Sequence, residues 1–262
     1  MITSTSSSQV KHVVNLQKKA KLRKEEKQFV VEGVKMVSEA PADRLVKVYV
    51  SETFKADNEE FLERMNYDSI GKDVLEIVTD NVFMRMADTQ TPQGIMAVVR
   101  MSDTDLEGIL SDKHNPLLLI IENLQDPGNL GTIVRMAEGA GVTGIIMSSN
   151  TVDIYNPKTI RSTMGSLYRV PVIYVDDICE AADVCKSKGV TVYAAHLKGT
   201  DNKKDYTNPT AFMIGNEGNG LTDKLADKAD EYVRIPMQGE VESLNAAIAC
   251  TILTYEAVRQ RL

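Results

Sequence analysis

The sequence contains no apolar run that approaches the roughly 20 residues of a membrane-spanning helix. Its opening, Met-Ile-Thr-Ser-Thr-Ser-Ser-Ser, also lacks the apolar segment of a secretory signal. With 43% apolar and 26% charged residues, the composition is that of an ordinary globular protein and not of a disordered or fibrous one. We therefore expect a cytoplasmic protein without a membrane partner.

Cysteine and histidine are scarce. The three thiols, Cys179, Cys185 and Cys250, are odd in number and lack the spacing of metal ligands. This pattern is typical of reduced, buried cysteines in a reducing compartment. The three histidines show no spacing typical of a catalytic triad or a metal site. The sequence therefore predicts no metal.

Positive charge is also in deficit, since 30 Lys and Arg face 37 Asp and Glu for a net charge of -7. This balance excludes nucleic-acid binding by bulk electrostatics, so any such contact needs a local basic patch. One patch has seven cations within seventeen residues: Lys11, Lys18, Lys19, Lys21, Arg23, Lys24 and Lys27. Because few aromatic residues lie among them, the patch favours contact with phosphate over base stacking. The alternative is a solvated helix face.

The first hundred residues read as a compact α/β unit. Apolar runs predict strands at 29–31, 45–50, 74–78 and 95–99. Helical patterns lie between them at 34–40, 58–65 and 81–87. The polar, acidic stretch that follows is typical of a linker. We therefore predict an N-terminal domain at 1–100, a linker at 101–116 and a second domain at 117–262.

The second domain has longer and purer apolar strands. They are predicted at 117–121, 144–148, 170–175, 190–195, 211–214 and 232–235. Continuous apolar strands that alternate with helices indicate a mostly parallel sheet covered on both faces. Ligands of such sheets bind beyond the carboxyl ends of the strands. This rule directs attention to the loops after Ile121, Ile214 and Ile235.

The loop after Ile121 contains the turn signal Asp-Pro-Gly and then Asn129, which we predict as a helix N-cap. The buried stripe of that helix consists of Leu130, Ile133, Val134 and Ala137. Arg135 lies off the stripe, where its guanidinium, close to a helix start, suits a phosphate. The alternative is an exposed or salt-bridged arginine.

Residues 139–144 match G-x-G-x-x-G, the pattern of dinucleotide-binding loops. Here, however, the pattern ends a helix and precedes a strand, whereas a dinucleotide-binding loop follows a strand and opens a helix. We therefore interpret it as a helix C-cap and a turn. By this interpretation, the hypothesis of a nicotinamide-dependent oxidoreductase loses its best supporting motif.

The loop after Ile214 has three glycines around one ionisable group, Glu217. Glycines let a backbone approach a ligand closely, although a wide turn without a ligand is the alternative. The third loop leads into a helix that begins near Ser243 and Asn245, two residues that favour helix starts. One face of this helix is marked by Leu244, Ile248, Ile252 and Tyr255. Since its other sides are small and mostly apolar, we expect it to be buried on nearly every side.

Taken together, these motifs resemble those of a known family. Asn129 with Arg135, the segment Gly-Asn-Glu-Gly-Asn-Gly-Leu at 215–221, and Ile-Pro-Met at 235–237 with Ser-Leu-Asn at 243–245 agree with it in type, order and spacing. The family is the SpoU/TrmH class of RNA ribose 2′-O-methyltransferases, in the SPOUT superfamily. The likeness runs from residue 117 to the C-terminus. The segment Phe-Val-Val-Glu-Gly at 29–33 resembles the substrate-binding domain of the ribosomal-RNA members.

The resemblance implies a deep trefoil knot, a homodimer and S-adenosylmethionine as cofactor. By analogy, the cofactor-binding residues are Gly215, Asn216, Gly218, Gly220, Ile235, Met237 and Leu244. The implied catalytic residues are Asn129, Arg135, Glu217, Ser243 and Asn245. The RNA-binding residues predicted from the local excess of cations are Lys11, Lys18, Lys19, Lys21, Arg23 and Lys24.

The resemblance also implies the reaction, which is methylation of a ribose 2′-hydroxyl, with large-subunit ribosomal RNA favoured as substrate. In relatives, the arginine at the position of Arg135 has been suggested as the base. Because a guanidinium rarely loses its proton, we assign Arg135 to binding phosphate and stabilising developing negative charge. The alternatives are a transfer-RNA ribose 2′-O-methyltransferase and an inactive RNA-binding relative.

Overall fold

The computed structural model describes residues 1–65, 71, 74–111, 114–201, 204–241 and 243–262. It divides into two compact units: Met1–Ser102 with Asp153–Tyr168, and Asp103–Val152 with Arg169–Leu262. The domain boundaries drawn from the sequence stay a prediction. Asp112, in the predicted linker, lies outside the described residues.

The elements up to residue 102 are α1 (Ser8–Lys18), α2 (Ala20–Glu26), β1 (Gln28–Glu32), α3 (Val34–Ser38), β2 (Leu45–Ser51), α4 (Glu52–Asp57), α5 (Glu59–Met65), β3 (Leu75–Val78), α6 (Asp80–Met86) and β4 (Ile95–Arg100). Those that follow are α7 (Leu106–Leu110), β5 (Leu117–Ile121), α8 (Pro127–Gly139), β6 (Gly144–Ser148), α9 (Pro157–Thr163), β7 (Val172–Val175), α10 (Ile178–Ser187), β8 (Thr191–Asp201), β9 (Thr210–Ile214), α11 (Asp223–Ala226), β10 (Glu231–Arg234) and α12 (Ala246–Arg261).

The first unit is built on a four-stranded sheet with the order β1-β4-β2-β3. β4 pairs antiparallel with β1 and β2, while β2 and β3 are parallel. Helix α1 buries the face formed by Val10, Val13 and Leu16, in a core that it shares with α6. The four strands predicted in this region are confirmed, and so is its α/β class.

The prediction that Arg23 binds RNA is wrong. Arg23 is only 3% exposed, and its guanidinium donates to the Asp153 carboxylate at 2.6 and 2.9 Å and to the backbone carbonyls of Leu16 and Gln17. The side chain therefore ties α2 to the end of α1 and to the segment before α9. The sequence does not reveal this role, because nothing in a run of cations distinguishes a buried arginine from an exposed one. The other five residues predicted to bind RNA are exposed: Lys11, Lys18, Lys19, Lys21 and Lys24.

The second unit contains a six-stranded, wholly parallel sheet with the order β10-β8-β9-β5-β6-β7. This confirms the predicted parallel sheet. In the register of β5 and β9, Ile121 lies opposite Ile214, so both strands end at the same edge. The stretch predicted as a linker contains α7, whose Ile109 is 1% exposed in the core of this unit. Part of the predicted linker therefore packs into the core of the second unit.

The prediction that the last helix is buried on nearly every side is wrong. Ile248, Ile252 and Tyr255 are 52%, 38% and 45% exposed, whereas the buried face consists of small residues and Leu253. Both faces of α12 are apolar, and the chain covers only one of them. Neither α12 nor any other helix in the described part of the chain combines the length and apolarity needed to cross a membrane.

The Arg23–Asp153 pair leads to a stability prediction. We expect Asp153→Ala to lower the free energy of unfolding by about 3 kcal/mol, because it leaves a buried guanidinium without its carboxylate. Urea unfolding followed by circular dichroism measures this loss. Glu25→Ala breaks the exposed Lys21–Glu25 pair, 3.8 Å long, and should cost less than about 1 kcal/mol. Equal losses in the two variants would contradict the structural role of Arg23.

Candidate active site at the edge of the parallel sheet

Three loops of the second unit follow the carboxyl ends of β5, β9 and β10. β5 lies between β9 and β6, at the point where the strand order changes direction. In open α/β sheets, ligands bind beside such a switch point. The residues predicted from the motifs lie in these loops and in the helices α8 and α12 that follow two of them.

The first loop enters α8 with a different cap from the one predicted. Asp126 is the N-cap, and its side chain accepts a hydrogen bond from the Asn129 backbone N–H at 2.7 Å. Pro127 occupies the first helical position, where a missing N–H costs nothing. That proline was the signal in the sequence, since it marks the preceding residue as the cap. The correction leaves the side chain of Asn129 free for other partners.

Glu217, from the second loop, binds the first loop. Its carboxylate accepts hydrogen bonds from the backbone N–H groups of Gln125 and Asp126, at 3.1 and 2.9 Å, and from the Asn129 amide at 3.1 Å. Partial burial raises the pKa of Glu217, but these hydrogen bonds lower it more, so its pKa lies below the ordinary value. Glu217 is therefore an ionised clamp between two loops.

Asn129 extends this connection to the third loop. Its amide nitrogen donates to Glu217, and its amide oxygen accepts from the Asn245 amide at 2.9 Å. Asn245 in turn caps α12 by accepting from the backbone N–H groups of Ala247 and Ile248 at 2.9 and 3.3 Å. The three motifs, far apart in sequence, are thus joined in one hydrogen-bonded chain.

The second loop is a tight turn organised by Asn216. The Asn216 side chain donates to the backbone carbonyl of Asn123 at 2.8 Å and accepts from the N–H groups of Gly218 and Asn219 at 2.9 and 3.1 Å. The polar atoms of Asn216 therefore hold the protein's own backbone. Asn216 therefore shapes the second loop.

Gly215 has no space for a side chain. A Cβ built on it would lie 2.1 Å from the carbonyl carbon of Gly220 and 2.2 Å from the nitrogen of Leu221. Backbone atoms cannot move aside as the end of a side chain can. Glycine is therefore required for the chain to leave β9 and double back.

The third loop has open backbone groups. Between Ile235 and Leu244, the described residues make no hydrogen bond to any other described residue. Ile235, Met237 and Leu244 are half-buried, and Ser243 is exposed. Unpaired N–H and C=O groups beside apolar side chains suit a ligand that is held through the main chain.

Arg135 lies on the exposed side of α8, as predicted, while Leu130, Ile133, Val134 and Ala137 are buried. Its guanidinium makes no hydrogen bond or ion pair with any residue that the structure describes. An arginine without a protein partner is available to an anionic ligand.

The sequence interpretation missed a buried carboxylate at this edge. Glu122 is 6% exposed and accepts hydrogen bonds from the backbone N–H and the hydroxyl of Thr222, both at 2.8 Å. Thr222 caps α11, so Glu122 fixes the end of the second loop to the end of β5. The available signal was a charged residue placed directly after a fully apolar strand.

The pairing of β8 with β10 is interrupted near the same edge. Tyr232 of β10 lies opposite Ala194, but the next residue, Val233, lies opposite Thr200. The intervening residues of β8 leave the ladder, and among them His196 packs on the ring of Tyr232 at 4.8 Å. The sequence predicts no role for His196. The interruption of the pairing between β8 and β10 also has no signal in the pattern of apolar residues.

The cysteines are buried and unpaired, as predicted. In the described part of the chain, no three His, Cys, Asp or Glu side chains come together in a group that could hold a metal ion.

The low pKa of Glu217 makes stability depend on pH. The carboxylate stabilises the fold above its ordinary pKa of 4.5, and this contribution is lost as the pH falls through the lowered pKa. We therefore expect Glu217→Gln to be less stable than the native protein near pH 6, with a smaller difference near pH 3. Urea unfolding at both pH values measures this. Glu240→Gln, a change at an exposed carboxylate, should show no such dependence.

Comparison with known proteins agrees with this geometry. The model of the SpoU rRNA methylase family matches residues 116–255, and that of the MRM3-like substrate-binding domain matches residues 7–97. The 23S rRNA (guanosine(2553)-2′-O)-methyltransferase RlmP of Bacillus subtilis is 34% identical over 68% of this chain and 70% of its own. An uncharacterized tRNA/rRNA methyltransferase of Synechocystis is 33% identical over 99% of this chain and 94% of its own.

The likeness extends to three dimensions. An AdoMet-bound rRNA methyltransferase from Sinorhizobium meliloti has a TM-score of 0.86 and 30% identity, and the match covers 100% of this chain and 98% of that one. The matched family model covers more than half of the sequence, including every residue of the hydrogen-bonded chain that joins the three loops. The protein therefore belongs to the SpoU rRNA methylase family.

Proposed function

We propose that this protein transfers a methyl group from S-adenosylmethionine to a ribose 2′-hydroxyl of ribosomal RNA. The observation that carries the proposal is the chain Glu217–Asn129–Asn245, which brings the three family motifs together at one sheet edge. The relative from Bacillus subtilis is named for this reaction, and the structure from Sinorhizobium meliloti contains AdoMet.

The third loop supports cofactor binding by main-chain contacts. Its open backbone groups and the half-buried Ile235, Met237 and Leu244 suit a ligand with polar ends and an apolar middle. Gly215, Gly218 and Gly220 would form the opposite wall, with Asn216 shaping it. When bound, S-adenosylmethionine supplies an electrophilic methyl group on its sulfonium.

The catalytic assignments follow from what each side chain touches. Arg135 is exposed and has no partner among the residues that the structure describes, so we assign it to binding a substrate phosphate and stabilising negative charge on the 2′-oxygen as its proton leaves. Asn129, Glu217 and Asn245 are committed to one another, and we assign them to positioning. Ser243, exposed in the third loop, is assigned to contact with RNA.

Ribosomal RNA is favoured over transfer RNA because the likeness covers both units. The substrate-binding model matches residues 7–97, and the rRNA methyltransferase structure matches the whole chain. Five exposed lysines of the first unit supply sequence-independent attraction to phosphate: Lys11, Lys18, Lys19, Lys21 and Lys24.

We also propose the family's trefoil knot in the second unit. Helix α12 presents small buried residues, Ala246, Ala247 and Cys250, over its first two turns. Small side chains permit the close backbone approach that a threaded helix needs. Helix α8 also comes close, since a Cβ on Gly139 would meet the Tyr255 hydroxyl at 3.3 Å.

A homodimer is proposed from the other face of α12. Ile248, Ile252 and Tyr255 recur at helical spacing and are all at least 38% exposed. Aligned exposed apolar side chains on a helix favour burial against a second copy of the same surface, as a two-fold interface requires.

Methyl transfer is the first test of function. With radiolabelled S-adenosylmethionine and unmodified ribosomal or transfer RNA, we expect label in ribosomal RNA as 2′-O-methylribose. Arg135→Ala should lower kcat by about 100-fold because a charge-stabilising donor is lost. Asn129→Ala should mainly weaken cofactor affinity. Arg64→Ala, at an exposed arginine of the first unit, serves as control. Label only in transfer RNA, or in none, would overturn the assignment.

The dimer has its own test. We expect Ile252→Asp to convert the dimer into a monomer, because a carboxylate in an apolar interface would lose its hydration. Sedimentation velocity measures the assembly state, and circular dichroism checks that the monomer is folded. Val241→Asp, at a residue 62% exposed but outside α12, is the matched control. A native protein that sediments as a monomer would contradict the proposal.

A further inference from the structure

The first unit contains a cleft that the proposed reaction does not use. Its volume is about 390 Å³, which lies within the range of sites for small organic ligands. It is formed by the end of β2, by α4, by the start of α6 and by residues 92–94 before β4.

One part of the lining is apolar. Phe54, Phe83, Met84 and Pro92 contribute to it, and Met84 is 55% exposed. A methionine this exposed beside a proline and aromatic rings offers a surface for a flat, weakly polar group.

The polar part of the lining is rich in acceptors. Both oxygens of Asp80 are engaged by Thr53, and Asn58 donates to the carbonyl of Phe54 at 3.0 Å. The carboxylate of Asp57, by contrast, has no hydrogen-bond partner among the described residues.

Gln93 lines the same cleft. Its amide oxygen accepts from the backbone N–H of Val34 at 2.8 Å, and its amide nitrogen has no partner in the described part of the chain. Among these side chains, the groups without a hydrogen-bond partner in the described part of the chain are the Asp57 carboxylate, the Asn58 amide oxygen and the Gln93 amide N–H. No described lysine or arginine lines the cleft, so a phosphate would be repelled from its interior.

Cations lie on a neighbouring element. Helix α6, which supplies Phe83 and Met84 to the cleft, also packs against α1 in a shared apolar core. The exposed Lys11 and Lys18 belong to α1. Packed helices lie about 8–10 Å apart, a distance comparable to the reach of one or two nucleotides. A chain with anionic links and uncharged bases fits this arrangement, whereas a basic peptide would be repelled by α1.

We propose that the cleft binds an unpaired guanine of the RNA substrate, with the phosphates of that strand outside on the lysines of α1. Guanine presents two adjacent donors, N1–H and the N2 amine, to the Asp57 carboxylate, and its O6 accepts from the Gln93 amide. Its ring lies on Met84 and Pro92. Single-stranded RNA is commonly recognised through such unstacked bases. The inference rests on the proposed RNA substrate.

The test uses the full-length protein and short dye-labelled oligouridine strands that carry one central guanine, inosine or adenine, with binding measured by fluorescence anisotropy. We expect the guanine strand to bind at least about fivefold more tightly than the inosine strand, which lacks the N2 amine. Asp57→Asn should abolish this preference, and Met84→Ala should weaken binding of the guanine strand. Asp43→Asn, at an exposed carboxylate outside the cleft, should retain the preference.

Equal affinity of the native protein for the three strands would overturn the proposal, as would a guanine preference that survives Asp57→Asn. A short arginine peptide is tested as a competitor. If it displaces the guanine strand from the native protein and does not bind the Asp57→Asn variant, the cleft belongs to a protein partner instead. Methyl transfer to ribosomal RNA is measured in parallel. Methylation without guanine preference contradicts guanine binding in the cleft but not the proposed reaction. Guanine preference without methylation contradicts the proposed reaction but not guanine binding.

Discussion

The site depends on one side-chain amide, that of Asn129, which serves two loops at once. It donates to Glu217 of the second motif and accepts from Asn245 of the third. It can do so only because Asp126 caps α8 and leaves the Asn129 side chain unoccupied. An amide is suited to this position because it offers a donor and an acceptor on one planar group, which neither a carboxylate nor an ammonium provides. The third loop, whose described residues make no hydrogen bond to other described residues between Ile235 and Leu244, is anchored at its end through this contact.

Much of the fold could be predicted because buried parallel strands are continuous apolar runs, and such runs end where the strands end. The loops after Ile121 and Ile214 were therefore located before any contact was known, and the motifs within them supplied the residue types. What the sequence could not provide was pairing. In the sequence, Glu217 is an isolated carboxylate in a glycine-rich loop, and the residues that it binds lie 88 to 92 positions away. Long-range pairing of this kind has no local pattern.

The basic run from Lys11 to Lys27 shows that sequence composition also fails to reveal which charged residues are paired. Composition identified the unusual excess of cations in an acidic chain, but composition treats all cations alike. Arg23 is the member whose five N–H donors can satisfy two carbonyls and a carboxylate in a buried position, which an ammonium could not do with the same geometry. The lysines around it keep their charge in solvent. One arginine therefore stabilises the surface from which the lysines project.

Helix α12 shows why an apolar pattern alone does not separate a core face from an exposed apolar face, which we propose as a dimer interface. The side with Ala246, Ala247 and Cys250 is covered by the chain itself, while the side with Ile248 and Ile252 is exposed. Both sides read as core in the sequence, because burial against one's own chain and burial against a second copy require the same side chains. The size of the residues is the better guide. Small residues permit close backbone approach within one chain, and large branched residues provide the area that two separate surfaces need to associate.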